Sequence, residues 1–234
     1  MFRYRTAIFP AVCIAVVVAT TPAAPFGRED WDRWLDLAGL AIAMSGQLLR
    51  GLVIGLAYIQ RGGKDNAIHA DALVRDGFFA HCRNPLYTGN ILVYLGLFVI
   101  LNSTAGYLIA MPLIAFVYWC IVVAEEEYLG GRFGSVYDDY SRRVPRFLPS
   151  FSGLGETIRG MRFDWRRLLR KEYGATFAWI STALALAVWE IWVRQGPRAG
   201  RARLRMAVLA WAPVVAAYLT ARWLKKRRYL ASGS

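Results

Sequence analysis

Long apolar runs separated by basic segments are the feature that most constrains how this chain can fold. A helical run of about 20 apolar residues spans the roughly 30 Å hydrocarbon core of a bilayer. The runs are continuous rather than alternating, which favours helices over the strands of a membrane barrel. The sequence therefore predicts an all-α fold, a polytopic membrane helix bundle with five to six transmembrane helices. The candidate runs are Thr6–Ala24, Leu37–Ile59, Leu86–Leu101, Gly106–Ala124, Gly174–Val193 and Leu204–Leu224.

The first of these runs has two interpretations. Arg3 and Arg5 precede it, and Ala23 and Ala24 lie near its end, a pattern that also suits a signal peptide. Because the run is long enough to cross a bilayer, we predict a retained helix.

Composition and charge agree with residence in a membrane. The chain is 56% hydrophobic, yet it carries 29 Lys and Arg against 16 Asp and Glu, for a net charge of +13. Apolar segments in lipid, with arginine-rich loops at anionic headgroups, account for both properties. Nucleic-acid binding is disfavoured because the basic residues lie between apolar runs rather than on one soluble module. The three cysteines and two histidines show no metal-ligand spacing, so we expect no metal.

The polar stretch after the fourth run contains a predicted amphipathic helix. Within Glu156–Glu172, apolar residues recur every three or four positions between arginines, as in helices that lie in the headgroup plane. The sequence thus divides into four predicted parts. These are an N-terminal transmembrane helix and loop (1–36), a membrane core (37–150), an interfacial helix (151–173) and a C-terminal transmembrane hairpin with a basic tail (174–234).

The distribution of basic residues predicts the orientation. Basic loops tend to stay on the cytoplasmic side, and an N-terminus inside places most of the Lys and Arg there. We therefore expect a multi-pass protein of a bacterial inner membrane, with the two polar clusters described next facing the cytoplasm. The loop Arg194–Arg205 goes against this rule. Either the last two runs form a hairpin that does not fully cross, or the loop was translocated despite its charge.

The first polar cluster leads into the third apolar run. Pro85 suits the first turn of a helix, where its missing N–H costs nothing. Asn84 can cap that helix and leave N–H groups free to bind an anion. Arg83 adds a fixed positive charge suited to a carboxylate or a phosphate.

The second polar cluster begins where the fourth run ends, at Glu125, Glu126 and Glu127. Neighbouring side chains on a helix project about 100° apart, so at most two of the three share a face. A carboxylate at this position could hold a ribose diol or a cation. Alternatively, the acids remain solvated and pair with Arg83 or Arg132.

The two clusters bracket a helical hairpin whose tip is only Asn102–Ala105. With so short a loop, the two ends of the hairpin must lie near each other, which predicts one site with both charge signs. Pro112 is expected to kink the second arm. The aromatic residues expected to form a stacking wall there, or alternatively an interfacial belt, are Tyr87, Tyr137, Tyr140 and Phe147.

The second apolar run contains an arginine. A charge within a membrane span is costly, so Arg50 should face a cavity or a partner unless it snorkels to the interface. We predict that Arg50 and Arg146 are substrate-binding residues. Gly51 and Gly55 form a pair of small residues that would let another helix approach closely.

In this order, the motifs resemble the isoprenylcysteine carboxyl methyltransferase and phospholipid methyltransferase superfamily of membrane enzymes. Its members show an Arg-His-Pro-x-Tyr-x-Gly turn before a helical hairpin, then a Glu-Glu pair, Phe-Gly-x-x-Tyr-x-x-Tyr and Val-Pro-Arg-x-x-Pro. The resemblance covers roughly residues 40–150. The corresponding segments here are Arg83–Gly89, Glu125-Glu126, Phe133–Tyr140 and Val144–Pro149.

The resemblance implies a membrane methyltransferase that uses S-adenosyl-L-methionine and acts on a lipid-like or prenylated substrate, such as an isoprenylcysteine carboxylate. Its other implied partners are membrane lipids, with no nucleic acid and no metal. It implies catalytic roles for Arg83, Glu126 and Tyr87. The implied cofactor-binding residues are Arg83, Asn84, Pro85, Tyr87, Gly89, Glu125, Glu126, Tyr137 and Tyr140.

Two departures from the family pattern bear on which chemical group accepts the methyl. Asn84 stands where the family has His, and Ile121–Ala124 lacks the basic residue that many members carry before the Glu pair. If that charge fixes a substrate carboxylate, the prenylcysteine assignment is in doubt. A phospholipid N-methyltransferase is the alternative, with Glu126 or Tyr87 removing a proton from the amine.

Two other function classes stay open at this point. An NADPH-dependent membrane reductase on a related scaffold would need a basic cluster for the 2′-phosphate, for which Arg142, Arg143 and Arg146 are available. A non-enzymatic scaffold or transporter would need polar residues along several spans, and the apolar runs contain few of them.

Overall fold

In a computed structural model, the chain folds into helices joined by short irregular segments. The structure describes residues 29–56, 73–227 and 229, with the isolated positions 15 and 17, and this part of the chain contains no β-strand. A 3₁₀ turn at Gly77–Ala80 precedes the second α-helix, and a π-helical turn at Gly106–Ala110 leads into the third. The α-helices are α1 (Glu29–Leu56), α2 (Pro85–Leu101), α3 (Met111–Phe133), α4 (Ser135–Arg143), α5 (Leu154–Arg159) and α6 (Trp165–Lys226).

Three helical stretches among the described residues are long and apolar enough to cross a membrane. They are Trp31–Leu56, Gly106–Phe133 and Trp165–Lys226, and the apolar helix α2 is shorter. The prediction of an all-α membrane helix bundle is therefore confirmed. The predicted first run, Thr6–Ala24, lies outside the described residues except for two isolated positions, and the end of the second run also lies outside them.

The helix α6 is a hairpin rather than a straight rod. Gly196 adopts φ 83° and ψ −179°, a conformation that favours glycine, and Pro197 after it has no N–H to continue the first arm. Across the turn, Trp211 Nε1 donates a hydrogen bond to Ser181 Oγ at 2.8 Å. The last two predicted runs are thus two antiparallel arms of one hairpin.

The helices α1 and α2 make the closest helix pair in the bundle. A Cβ on Gly96 would lie 2.3 Å from the carbonyl oxygen of Gly39 and 2.8 Å from the Cβ of Ala43. A Cβ on Gly46 would lie 2.5 Å from the carbonyl oxygen of Gly89. Small residues let two helix backbones approach closely. The glycines therefore set the distance between α1 and α2.

The predicted glycine pair in α1 does not form this seam. A Cβ on Gly55 would lie 2.3 Å from Cε2 of Phe163, and the Gly55 carbonyl accepts a hydrogen bond from the backbone N–H of Asp164 at 2.8 Å. For Gly51 the nearest atom is Cδ1 of Leu168, at 3.4 Å. Gly55 therefore makes room for the loop before α6, and Gly51 faces the first turn of α6.

The predicted interfacial helix over Glu156–Glu172 is wrong as one continuous element. The helix α5 ends at Arg159, and α6 begins at Trp165. Asp164 caps α6 because its Oδ1 accepts a hydrogen bond from the backbone N–H of Arg167 at 2.9 Å, which also lowers the pKa of Asp164. Apolar side chains of α5 and of the break itself pack in one cluster with the C-terminal part of α1.

The tip of the α2–α3 hairpin is as tight as expected. Asn102 adopts a left-handed φ of 45°, and its N–H donates to the carbonyl of Phe98 at 3.0 Å. The hydroxyl of Ser103 accepts a hydrogen bond from the Gly106 N–H at 3.0 Å. Pro112 follows directly on the π-helical turn Gly106–Ala110, within one continuous helical stretch that ends at Phe133. The expected kink at Pro112 remains a prediction.

Buried polar contacts fix the direction of α6 within the bundle. We call the end where α2 begins and α3 ends the base end, and the end at Asn102 the tip end. At the tip end, Arg194 pairs with Asp32 and Glu190, and Asn102 Nδ2 donates to Asp32 Oδ1 at 3.4 Å. The first arm of α6 therefore runs from the base end to the tip end, and the second arm returns.

A second buried ion pair lies nearer the base end. Arg50 binds Glu172 through two hydrogen bonds, Nε to Oε2 at 2.9 Å and Nη2 to Oε1 at 2.6 Å. Its remaining Nη1 group donates to Asn90, and Gln47 also donates to Glu172 at 3.2 Å. The predicted intramembrane arginine thus has protein partners that link α1, α2 and α6.

We predict that Gly96→Leu destabilises the fold, because its side chain would overlap the α1 backbone at Gly39. Overpacking a tightly fitted site costs about 1–3 kcal/mol. The control is Gly131→Ala in α3, because a Cβ on Gly131 meets no atom within 4 Å. Thermal unfolding of the purified protein in detergent should show a lower Tm for Gly96→Leu alone; an unchanged Tm would contradict the close seam.

Candidate functional site

The segment after α4 runs antiparallel beside the turn that leads into α2. The backbone N–H of Arg83 donates to the carbonyl of Pro145 at 2.9 Å, and that of Ser150 donates to the carbonyl of His81 at 2.9 Å. Thr88, in the first turn of α2, donates through its hydroxyl to the carbonyl of Phe147 at 2.9 Å. The Val-Pro-Arg motif is thereby held against the base of the hairpin.

Glu126 is the centre of the polar site at the base end. Its Oε1 lies 3.1 Å from Nη1 of Arg83, and its Oε2 lies 2.7 Å from Nη2 and 3.1 Å from Nε of Arg146. The side chains of Arg83 and Glu126 are only 13% and 12% exposed. We call these three residues the Glu126 ion-pair group. It links the segments before α2 and after α4 to the end of α3.

Asn84 contributes to this group rather than capping α2. Its side-chain Nδ2 donates to the carbonyl of Arg146 at 3.2 Å and lies 3.5 Å from Oε1 of Glu126. It makes no side-chain hydrogen bond to the helix start, so the predicted side-chain cap is wrong. Pro85 is the first residue of α2, as predicted, and is fully buried.

The three adjacent glutamates have different surroundings, because neighbouring side chains on a helix point in different directions. Glu125 accepts a hydrogen bond from the hydroxyl of Tyr87 at 2.6 Å, and Glu126 binds the two arginines. Glu127 is exposed. The hairpin therefore brings Arg83, Tyr87, Glu125 and Glu126 together, and the prediction that its two ends meet is confirmed.

An aromatic surface adjoins the ion pairs. The guanidinium of Arg146 lies over the ring of Trp119, 4.6 Å from its centre, and Trp119 lies 6.1 Å from the ring of Phe147. Tyr87 lies 5.6 Å from the ring of Tyr118. Sequence reasoning did not identify Trp119. Its position seven residues before Glu126 in α3 could have indicated it, because residues about two turns apart lie on one helix face.

Two tyrosines of α4 lie behind the ion pairs. The hydroxyl of Tyr140 donates to the carbonyl of Phe79 at 2.7 Å, which ties α4 to the 3₁₀ turn before α2. Burial raises the pKa of Tyr140 and of Tyr137, and Arg83 beside Tyr137 opposes that rise. Both phenols therefore stay neutral at physiological pH. The hydroxyl of Tyr140 already donates its hydrogen to the protein backbone.

Two predicted site residues lie apart from the Glu126 ion-pair group. Gly89 faces α1, where a Cβ would lie 2.6 Å from Cγ of Arg50 and 2.8 Å from the carbonyl of Gly46. Arg50 itself is occupied by Glu172. The structure thus places both residues at the α1–α2 contact, and their predicted roles in binding remain predictions.

Histidine 81 anchors the segment between α4 and α6. Its Nδ1 lies 3.0 Å from the carbonyl of Ser150, which can only accept, so this nitrogen must carry a hydrogen. In the neutral ring, Nε2 then accepts from the hydroxyl of Thr157 in α5, 2.9 Å away. This contact explains why α5 lies against the turn that precedes α2.

Comparisons with known proteins match the same part of the chain. A family model for phospholipid methyltransferases matches residues 37–136. A protein-S-isoprenylcysteine O-methyltransferase from Rattus norvegicus is 32% identical over 127 residues, which cover 52% of this chain and 43% of the rat protein. The chain belongs to the isoprenylcysteine carboxyl methyltransferase and phospholipid methyltransferase superfamily. No solved structure matches the chain.

Two bacterial proteins match a longer part of this chain than the rat protein does. The cobalt-zinc-cadmium resistance protein CzcN of Cupriavidus metallidurans is 29% identical, covering 64% of this chain and 66% of the relative. The nickel-cobalt-cadmium resistance protein NccN of Alcaligenes xylosoxydans is 30% identical, covering 64% and 67%. The chain thus spans about two thirds of these relatives. Among its described residues, no three or more His, Cys, Asp or Glu side chains form a group able to hold a metal ion.

The superfamily match covers most of α1, all of α2 and α3, and the start of α4. It ends at residue 136, before Tyr137, Tyr140 and Arg146. The hairpin α6 also lies beyond it. The candidate site therefore also includes residues outside the matched segment.

We expect Glu126→Gln to destabilise the protein by about 2 kcal/mol or more, because it leaves two largely buried arginines without their carboxylate. The matched control is the neighbouring Glu127→Gln, which alters an exposed side chain and should stay within about 0.5 kcal/mol. Denaturant unfolding in detergent measures both changes. Equal stabilities of the two variants would argue against the Glu126 ion-pair group.

Alkaline pH should destabilise the fold through Tyr140. In the unfolded chain a tyrosine loses its proton near pH 10, whereas burial raises the pKa of Tyr140 in the folded protein. Above about pH 10 the unfolded state therefore binds fewer protons, and stability falls by up to about 1.4 kcal/mol per pH unit. Tyr140→Phe should lower Tm at neutral pH by removing the bond to Phe79, and should make the fall of Tm above pH 10 shallower. The exposed Tyr229→Phe should leave that slope as in the wild type.

Proposed function

We propose that this protein is an S-adenosyl-L-methionine-dependent methyltransferase that methylates a lipid-like carboxylate, of the isoprenylcysteine type or similar. The observation that carries the proposal is the Glu126 ion-pair group at the base of the α2–α3 hairpin. Its members stand on the motif positions of the superfamily, and they place charges of both signs beside an aromatic surface.

The residues of the site fit such a cofactor. Arg83 Nε is buried and has no hydrogen-bond partner among the residues that the structure describes, so it is a donor available to an anionic group. Arg83 and Arg146 would hold the carboxylate of the cofactor, and Glu125 would accept hydrogen bonds from its hydroxyl or ammonium groups. Trp119, which stacks with the guanidinium of Arg146 and is about half exposed, adds an aromatic surface beside it. When bound, the cofactor supplies a methyl group activated on a sulfonium.

The contacts of Glu126 favour a carboxylate over an amine as the group that accepts the methyl. An ionised carboxylate is already nucleophilic, so the protein need only position it and exclude water. An amine acceptor needs a base, and both carboxylate oxygens of Glu126 are already bound by Arg83 and Arg146. Tyr87 already donates its hydroxyl hydrogen to Glu125. A phospholipid N-methyltransferase is the second candidate, resting on the matched family model.

The geometry gives less support to a nicotinamide-dependent reductase. Of the three arginines considered for a 2′-phosphate, Arg146 is occupied by Glu126. The side chain of Arg142 is 77% exposed and lies 3.9 Å from Asp139. Arg143 donates to the backbone of its own helix. These side chains do not converge on one point.

We also propose a multi-pass arrangement in a bacterial inner membrane with the base end in the cytoplasm. The support is the basic character of the segments at the base end, which include the arginines of α4, α5 and the loops around them. A lipid-like acceptor would then reach the site from the bilayer.

The test is the transfer of a radiolabelled methyl group by the purified protein. We expect methylation of a prenylated cysteine carboxylate and none of phosphatidylethanolamine. Arg83→Gln should weaken binding of S-adenosyl-L-methionine about tenfold or more, because it removes a charge-assisted hydrogen bond. Arg142→Gln, an exposed arginine of α4, should bind as the wild type does.

The two readouts separate the parts of the proposal. Methylation of phosphatidylethanolamine alone would replace the carboxylate acceptor and keep the cofactor. Unchanged cofactor binding in Arg83→Gln would remove the cofactor assignment from this site.

A further inference from the structure

An apolar groove lies between the two arms of α6, on the part of the chain that the superfamily match does not reach. Its volume is about 520 Å³ and its lining is almost entirely apolar. Trp189 and Trp192 of the first arm and Trp211 of the second arm contribute to its walls. We call it the α6 groove. At its inner end, Ser181 accepts the hydrogen bond from Trp211 that joins the two arms.

The α6 groove has the length of one leaflet. The first arm rises about 16 Å between Ser181 and Trp192, at about 1.5 Å per residue. Half of a typical hydrocarbon core is about 15 Å. The outer end of the groove lies near the turn at Gly196, at the tip end of the bundle. The groove therefore runs from a membrane boundary towards the middle of the bilayer.

The segment that follows the turn, beyond the outer end of the α6 groove, is strongly basic. Four exposed arginines follow the turn, and the sequence has no Asp or Glu from residue 191 to its end. Arg194, by contrast, is bound to Asp32 and Glu190 and is not available to a ligand. The four exposed residues are Arg198, Arg201, Arg203 and Arg205.

From this juxtaposition we propose that the α6 groove and its arginines bind an anionic phospholipid. One acyl chain occupies the groove, and the phosphate binds the guanidinium groups at the turn. A zwitterionic lipid would satisfy these charges less well. A second copy of the chain, packed through the same groove around a two-fold axis along the membrane normal, would bring two sets of four arginines together. The charge therefore favours a lipid occupant.

This site is separate from the proposed methyltransferase site. The Glu126 ion-pair group lies at the base end, and the turn of α6 lies at the tip end, where Arg194 meets Asp32. The proposal also gives the basic turn a function. Attraction to anionic headgroups offsets the cost of placing a basic loop at the tip end, on the membrane face opposite the Glu126 ion-pair group.

The test uses tryptophan fluorescence, to which three groove residues contribute among the nine tryptophans of the chain. The purified full chain is placed in phosphatidylcholine vesicles with increasing amounts of phosphatidylglycerol whose acyl chains carry bromine, a quencher. We expect half-maximal quenching at a mole fraction at least about fivefold lower than with brominated phosphatidylcholine, since one basic residue near an anionic surface contributes about that factor. The variant Arg198→Gln/Arg201→Gln/Arg205→Gln should respond equally to the two lipids, because the remaining Arg203 lies near Asp36, whose charge opposes its own.

A matched control removes the same charge elsewhere. The variant Arg142→Gln/Arg143→Gln/Arg159→Gln changes three exposed arginines at the base end and should keep the preference for phosphatidylglycerol. Loss of the preference in this control as well would show a general charge effect and overturn the site. Equal quenching of the wild type by both lipids would also overturn it.

A groove-filling variant distinguishes the occupant. Ala185→Phe places a larger side chain in the α6 groove and should abolish the preference for phosphatidylglycerol while the arginines remain. Chemical cross-linking of the wild type and this variant is measured in parallel. A cross-linked dimer that Ala185→Phe removes, with no change in lipid preference, would assign the groove to a second copy and refute the lipid proposal.

Discussion

Pairing of buried charges is the constraint on which this bundle depends. A charge in an apolar helix bundle is tolerated only with a partner, because desolvation is otherwise uncompensated. Arg50 pairs with Glu172 between α1 and α6, and Arg194 pairs with Asp32 at the tip end. Glu126 joins the segments on either side of the hairpin. These contacts align α6 with α1 and α2, and they hold the base of the hairpin closed.

The same pairing defines what the candidate site can do. Both carboxylate oxygens of Glu126 are bound by guanidinium groups, so Glu126 holds Arg83 and Arg146 in place. Our proposal therefore gives Glu126 a positioning role rather than that of a base. Arg83 retains a buried Nε that no described residue satisfies. The site therefore suits an anionic group held beside the ring of Trp119. This is the arrangement expected for a transfer that relies on positioning.

Several local predictions failed because a neighbour supplied a competing contact. Asn84 has the right residue type for a cap, yet its side chain binds the carbonyl of Arg146. The amphipathic spacing of 156–172 continues through a break, because Asp164 starts a new helix there. Gly55 receives the ring of Phe163 rather than another helix. Each pattern is compatible with the observed fold, but the pattern alone does not identify the neighbour.

The sequence by itself determined the helices, the membrane setting and the meeting of the two motif clusters. Apolar runs of bilayer length require helices. Because the tip at Asn102–Ala105 is short, the two ends of the hairpin must lie close together. Only the tertiary structure decided the partners. Arg50 and Glu172 are separated by 122 positions, and nothing local marks one as the partner of the other. Ion-pair partners are set by the packing of whole helices, and that packing follows from glycine seams and buried side chains distributed over the entire chain.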